Sequence, residues 1–361
     1  MIQCMGAKCT ALVDDVTMKA IADSEIYTKC VVSPLFPSLT LAFSRYKTLV
    51  TRSFVEEQDF LRWCPAPGCE YILECHVSPS SQLVPAVLCR CGNRFCFGCG
   101  RKDHLPSTCE IVKHWLKKCA DDSETANWIS VHTKECPKCH TTIEKNGGCN
   151  HMHCKKCKHE FCWVCQGPWS DHGSAWYNCS RFDDKASEAA RGSQAKSRAA
   201  LDRYLHYYTR YQNHENSAKL DQQVYARVET QMARMQKETD MSWIEVQFLK
   251  GAADALMLCR TTLMWTYAFA YYLKRTNMTE IFESNQRDLE LAVEQLSGFL
   301  ESDFSVAEIP KLRQNIIDKT VYVNQRRELL LNDTSRGFDE DRWQFVSQAE
   351  MVASAFSSEK A

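Results

Sequence analysis

The sequence has no apolar stretch long enough to cross a bilayer. Its longest apolar run, Thr262–Leu273 (TLMWTYAFAYYL), falls well short of the ~20 residues a bilayer core needs. The opening residues, MIQCMGAKCT, hold no apolar segment of the export-signal kind, which argues against a disulfide-stapled secreted scaffold. Charge of one sign is also lacking. With 44 Lys+Arg against 45 Asp+Glu, the chain is no wholesale binder of polyanions or polycations. No Walker-type loop, Rossmann fingerprint or Ser-His-Asp arrangement stands out. Beyond residue 179 even cysteine is scarce, with Cys259 alone. The expectation is a soluble protein of the cytoplasm, with the nucleus as a second location and no membrane partner.

Cysteine is abundant everywhere else it matters. The chain carries 21, and residues 64–179 hold 17 of them together with 9 of the 11 histidines. The total is odd, and the cysteines recur as tight C-x2-C pairs mixed with histidine. That pattern reads as zinc in a reducing compartment rather than as a disulfide framework. A structural zinc site takes four soft ligands, usually as two close pairs. The first block offers Cys64, Cys69, Cys89, Cys91, Cys96, Cys99, His104 and Cys109. The second offers Cys136, Cys139, Cys154, Cys157, Cys162, Cys165, His172 and Cys179. Eight ligands in each block predict two zinc ions apiece, four in all.

Subtracting these ligands leaves Cys75, Cys119 and Cys149. Cys75 lies in the strand-like YILECHV stretch and Cys119 on a helix, and both read as packed or idle thiols. Cys149 follows Gly147-Gly148, a step that lets the backbone bring a side chain into the open, and it precedes Asn150 and His151. An unligated thiol near an imidazole can be deprotonated and attack a carbonyl or thioester. From spacing alone Cys149 is either that nucleophile, a spare, or a ligand that leaves another residue free.

Along the chain, helical spacing is predicted from Asp15 to Tyr27, over 45–63, and in two short helices within 110–131. After residue 181 apolar positions recur every three or four residues. They run as Leu201, Leu205, Tyr208, Tyr211; then Leu220, Val224, Val228, Met232, Met235; then Phe282, Leu289, Ala292, Leu296, Phe299. Trp243–Lys274 is apolar almost all round. These stripes predict a helical bundle with one buried central helix. The fold expected is therefore α+β zinc-stabilised small modules followed by an all-α bundle.

The run TKECPKCHTTIEKNGGCNHMHCKKCKHEFCWVC resembles the catalytic second RING of the RING-between-RING ubiquitin ligases. CPAPGC followed by CRCGNRFCFGCGRKDHLPSTC resembles their in-between-RING domain. RAALDRYLHYYTRY, MSWIEVQFLKGAADAL and IFESNQRDLELAVEQLSGFLE resemble the Ariadne domain of the Ariadne subfamily. The resemblance implies a remnant of a first RING and a linker helix over 1–29, and a poorly ordered insertion at 30–44. It then implies a linker helix at 45–63, an in-between-RING domain at 64–109, linker helices at 110–131, a catalytic second RING at 132–180 and an Ariadne domain at 186–350. Of the first RING only the last ligand pair, Cys4 and Cys9, is present, so the sequence reads as a fragment or an incomplete gene model in which recruitment of a conjugating enzyme is weakened.

The resemblance further implies that ubiquitin passes from a conjugating enzyme to Cys149 as a thioester and then to a substrate lysine. His151 would accept the proton of the incoming amine and Glu160 would orient it. Ariadne domains hold the ligase inactive until a neddylated cullin–RING ligase pulls them away. By position, that contact would come from Leu220-Asp221 and Glu301. Two other classes stay open: a non-catalytic zinc scaffold that binds ubiquitin or a ligase partner, and a nucleic-acid-binding zinc protein. Against the last, Cys136–Cys165 carries only a small positive excess and no exposed base-reading helix is apparent.

Overall fold

The computed structural model describes residues 2–3, 12–13, 48–77, 83–121, 133–145, 147–172, 179–180, 182, 193–238, 241–301 and 309–346. The expected insertion at 30–44, the pair Cys4 and Cys9, the helix expected over 15–27 and the second short helix of 110–131 lie outside these residues. The chain divides into two compact units, residues 1–79 with 87–100, and residues 80–86 with 101–361.

The first unit is built of ladders too short to stand without a staple. β1 (Ile2–Gln3) pairs with β2 (Leu12–Val13), β3 (Leu61–Trp63) with β4 (Ile72–Glu74), and β5 (Ala86–Leu88) with β6 (Arg94–Cys96). The helix expected over 45–63 proves shorter. Helix α1 covers 48–57, and the chain then turns so that Leu61–Trp63 can pair with the strand returning from the Cys64–Cys69 loop. Pro65 and Pro67 would in any case stop a helix here. Phe95, Cys64 and Cys89 make the small core.

The second unit joins a pair of short ladders to a helical bundle. Helix α2 (Cys109–Asp121) comes first, then β7 (Thr133–Glu135) with β8 (Thr142–Glu144), and β9 (His151–His153) with β10 (Glu160–Cys162). A 3-10 turn at Trp169–Asp171 follows. The bundle is α3 (Ser193–Glu238), α4 (Trp243–Val246), α5 (Phe248–Tyr272), α6 (Asn277–Glu301) and α7 (Ile309–Asp339). Small modules of short strands with cysteine clusters, followed by helices, are thus the architecture. Among the described residues no helix is long and apolar enough to cross a membrane.

α5 is the buried central helix, packed by α3, α6 and α7. Leu249, Leu256, Cys259, Leu263, Tyr267 and Phe269 are fully enclosed. The apolar run does not begin at Trp243, however: Trp243 and Ile244 are exposed, on a one-turn helix fixed by a Ser242–Glu245 capping box. On α3 the first positions depart from the expected stripe, while Tyr211, Val228, Met232 and Met235 are buried where it placed them. Tyr204, Tyr207 and Tyr211 point inward while Leu201 is exposed, because the tyrosine rings close around Trp115 of α2 and Tyr271 of α5. Big amphipathic rings outcompete leucine for that face.

Candidate active site and metal centres

Five of the cysteine pairs are set on tight turns whose geometry is local. The residue just after the second cysteine takes a left-handed conformation at His140, Lys158, Gln166, Gly92 and Gly100. Its N–H donates back to the first cysteine's carbonyl, as in His140 to Cys136 (2.9 Å), Lys158 to Cys154 (2.8 Å) and Gln166 to Cys162 (2.9 Å). The first cysteine's N–H then bonds across the turn, Cys136 to Thr141 and Cys154 to His159, each at 2.9 Å. Both thiols of a pair therefore face the same side. Three of these five turns hold a side chain where glycine would cost less strain.

The pairs converge as the sequence spacing predicts. Cys64, Cys69, Cys89 and Cys91 form one group, Cys136, Cys139, Cys154 and Cys157 a second, and Cys162, Cys165, His172 and Cys179 a third. Cys96, Cys99, His104 and Cys109 form the fourth. In every group the ligand atoms lie within 4.8 Å of one another. Zinc–sulfur bonds of ~2.3 Å at tetrahedral corners put sulfurs about 3.8 Å apart. The separations here are 3.6 Å for Cys64–Cys91, 3.8 Å for Cys69–Cys89, and 3.6 Å for both Cys136–Cys157 and Cys139–Cys154. The described cysteines form no disulfide.

The histidine ligands fit as well. Nε2 lies 3.7 Å from Cys109 Sγ in His104 and 3.5 Å from Cys165 Sγ in His172. Each Nδ1 faces a carbonyl, Ser107 O at 2.8 Å and Pro168 O at 3.1 Å. That pairing fixes the proton on Nδ1 and leaves Nε2 as the ligand, the usual outer support of a zinc-bound imidazole. These Cys/His groups can hold zinc.

Cys75, Cys119 and Cys149 stand outside all four groups. Cys119 packs against the bundle core, and Cys75 continues β4 with its N–H on Phe60 O. Cys149 sits in the loop 147–150, immediately before β9. On that ladder His151 lies opposite Cys162 and Glu160 opposite His153, so His151 and Glu160 are diagonal neighbours. His151 Nε2 is 3.1 Å from Glu160 Oε2, and the His151 backbone N–H lies 3.4 Å from Cys149 Sγ. Trp169 stacks on the His151 ring, centroids 4.4 Å apart and planes within 10°, and also on His172 at 5.0 Å and 12°.

Helices α3, α5 and α6 cover this loop. Glu301 Oε1 accepts from the N–H groups of Gly148 (3.0 Å) and Cys149 (3.2 Å), and from Ser297 Oγ. A Cβ on Gly147 would overlap the Glu301 carboxylate, and one on Gly148 would overlap that of Asp221, so only glycine admits so close an approach. Of the expected contacts, Asp221 and Glu301 are thus in place, while Leu220 is half-buried. Arg260, wholly enclosed, donates to Glu294 (2.5 Å), to Asp221 (3.3 Å) and to Gly148 O (3.0 Å). Glu294 in turn accepts from the backbone N–H of Asn150 at 2.5 Å and from its side chain at 2.9 Å. Lys145 donates to Asn150, Asn213 and Ser217. Further along, Arg210 and His206 of α3 hold the carbonyls of Cys179 and Ser180.

Burial governs the charges here. Burial alone would push Glu294 up, but Arg260 beside it overrides this and holds its carboxyl below the usual range. Lys145 is pushed down to about 8 by burial, against the pull of Glu294. Burial, and then the carboxylates of Glu294 and Glu301, raise the Cys149 thiol well above its ordinary value. In this arrangement the thiol is held neutral. Sequence reasoning missed Lys145, Asn150, Arg260, Glu294 and Trp169. For Arg260 a signal existed, a lone cation in the otherwise apolar LMLCRTTLMW stretch, where burial demands partners.

Known families match the chain in three places. The IBR domain matches residues 131–180, the IBR domain described as a half RING-finger domain matches 44–109, and the Ariadne domain matches 202–326. The chain is 55% identical over 347 residues to the E3 ubiquitin-protein ligase dbl4 of Schizosaccharomyces pombe, covering 96% of this chain and 66% of that protein. It is 49% identical over 348 residues to human E3 ubiquitin-protein ligase ARIH1, covering 96% and 59%. To ari-1.1 of Caenorhabditis elegans, also an E3 ubiquitin-protein ligase, it is 49% identical over 348 residues, covering 95% and 66%. The chain thus spans about three-fifths to two-thirds of the length of these relatives. With IBR and Ariadne domains in this order, and such identity across nearly its whole length, the chain belongs to the Ariadne subfamily of the RING-between-RING proteins.

Proposed function

We propose that the chain is a ubiquitin transferase that forms a thioester on Cys149 and passes ubiquitin to a substrate lysine. One observation carries this reading: Cys149 is the cysteine of the second zinc block left out of both ligand groups, and it stands between a Gly-Gly step and the His151–Glu160 pair. The names of the relatives, all E3 ubiquitin-protein ligases, support it. Zinc, one ion per ligand group and four in all, supplies structure by tying the loops together. Ubiquitin and a charged conjugating enzyme are the partners this chemistry requires. A neddylated cullin–RING ligase is the proposed partner that lifts the helices from the loop.

The chain's own residues divide the work. The Cys149 sulfur adds to the carbonyl carbon of the incoming thioester and displaces the conjugating enzyme's thiolate. In the second step a lysine amine attacks the new thioester, His151 takes the amine's proton, and Cys149 leaves as thiolate. Glu160, within hydrogen-bond reach of Nε2, orients the imidazole. With Cys149 half-buried beneath the helices and its thiol pushed up by burial, Glu294 and Glu301, the closed arrangement is the proposed resting one.

The test is a gel comparing wild type, Cys149→Ser and His151→Ala, charged by excess conjugating enzyme, with and without reductant. Wild type should give a reducible ubiquitin adduct, and Cys149→Ser none or a reductant-stable oxyester. His151→Ala should keep the adduct and slow lysine transfer by roughly 10²-fold or more. An adduct that persists in Cys149→Ser, or that maps to Cys75 or Cys119, names the wrong cysteine. No adduct at all would favour the zinc-scaffold reading.

A further inference from the structure

Glu301 does more than cover the thiol. Its Oε1 sits at the meeting point of two successive backbone N–H groups, Gly148 at 3.0 Å and Cys149 at 3.2 Å, with Ser297 Oγ as a third donor at 2.9 Å. Two consecutive amides aimed at one oxygen form an anion-binding concavity. One of them belongs to the cysteine itself, so this concavity lies beside the sulfur. Donors about 3 Å from a negative oxygen, next to the attacking atom, are what a tetrahedral intermediate of acyl transfer needs.

We propose that the Gly148 and Cys149 backbone N–H groups are the oxyanion hole of this transferase, and that the Glu301 carboxylate occupies that hole in the closed arrangement as a surrogate oxyanion. The proposal rests on the reading of Cys149 as nucleophile. When the Cys149 thiolate adds to a ubiquitin thioester, a C–S bond forms and the C=O π pair moves to oxygen. That oxyanion takes the place of Glu301 Oε1 between the two N–H groups. Collapse re-forms C=O and expels the conjugating enzyme's thiolate. The same hole serves the second step, where the lysine amine adds, its proton goes to His151, and Cys149 leaves.

The surrounding contacts agree with this role. A peptide group is planar and trans, so fixing its carbonyl aims its N–H the other way. Arg260 holds Gly148 O at 3.0 Å, which turns the Cys149 N–H toward Glu301. Within its own module the loop is tied by Trp163 N–H to Asn150 O at 2.8 Å, a bond that does not depend on the helices. The absence of a side chain at Gly148, forced in the closed arrangement by Asp221, also leaves room for a substrate carbonyl once the helices withdraw.

The experiment separates occupation of the hole from mere burial. The full chain, as wild type, Glu301→Gln and Glu301→Ala, is treated with two small reagents of similar size, and modification of Cys149 is followed by peptide mass spectrometry. Chloroacetamide alkylates by displacing chloride and passes through no oxyanion. An acetyl thioester acylates through one. Both need the same thiolate and the same access, so access cancels in the ratio of their rates. The acylation-to-alkylation ratio should rise about 10-fold or more from wild type to Glu301→Ala, with Glu301→Gln between them, in keeping with the ~10²–10³ that one such donor contributes. Equal acceleration of both reagents would overturn the proposal and leave Glu301 as a cover, with the nucleophile reading intact. If Cys149 reacts with neither reagent in any variant, the nucleophile reading fails, and this proposal with it.

Discussion

At the scale of single residues, His151 is held on two sides, by Glu160 at 3.1 Å and by the face of Trp169 at 4.4 Å. Stacking on the indole face fixes the plane of the imidazole, and such ring pairs contribute about 0.5–1.5 kcal/mol. Trp169 is therefore expected to act as a positioning residue. Trp169→Leu should slow lysine transfer by roughly 2- to 12-fold while leaving thioester formation nearly unchanged. Single-turnover assays of the two steps would check this, and equal loss in both would make Trp169 merely structural. A second expectation concerns the pH dependence of Cys149. Burial and two carboxylates favour its neutral form, so its proton leaves only above the ordinary thiol range. Wild type should resist alkylation at pH values where a chain opened by Asp221→Ala with Glu301→Ala already reacts. The sign is fixed: a raised thiol pKa stabilises the closed arrangement fully below the thiol's ordinary pKa, and that contribution drains away as pH rises past it. Matching alkylation profiles for the two chains would refute the burial account.

At the scale of elements, the zinc modules and the bundle derive their stability from different sources. Three-residue strands cannot persist alone, and the turns at 136–140, 154–158 and 162–166 leave little to bury. Ligand–metal bonds are expected to supply most of their folding free energy. Chelation under mild conditions should therefore expose the thiols of both blocks to titration while the far-UV helical signal of α3–α7 survives. Native mass spectrometry should find about four zinc ions per chain before chelation, one for each set of four ligands; a value near two would remove half the assignment. The bundle instead rests on α5. Leu256 is wholly enclosed there, and Leu256→Ala should cost about 2–5 kcal/mol in denaturant unfolding, through lost burial and the cavity left behind.

At the scale of the whole molecule, the charged layer between the loop and the helices is expected to hold the proposed closed arrangement. Arg260 contacts two buried carboxylates, Asp221 and Glu294, and donates to a loop carbonyl. Removing one partner of such a buried pair typically costs about 3–5 kcal/mol, because the other charge is left without compensation. Arg260→Met is thus expected to release the loop, raising hydrogen exchange at 147–150 and speeding ubiquitin discharge. Exchange rising equally throughout α5 would instead show that the bundle had come apart.

The sequence by itself determined the parts whose physics is local. Sixteen ligands are legible because tetrahedral zinc demands pairs at short spacing, and the ligand groups fall on those pairs. The helical half was legible from 3.6-residue periodicity, although at the start of α3 Tyr204 and Tyr207, rather than Leu201, take the buried places beside Trp115 and Tyr271. Counting left three cysteines, Cys75, Cys119 and Cys149, and the Gly147-Gly148 step set Cys149 apart. What only the tertiary structure decided is the layer over it. Arg260 and Glu294 lie 111 and 145 positions from Cys149 along the chain, and no short-range pattern links residues so far apart. Their pairing exists because a buried guanidinium must find carboxylates, and packing of α5 against α6 brings the two together at the mouth of the glycine loop.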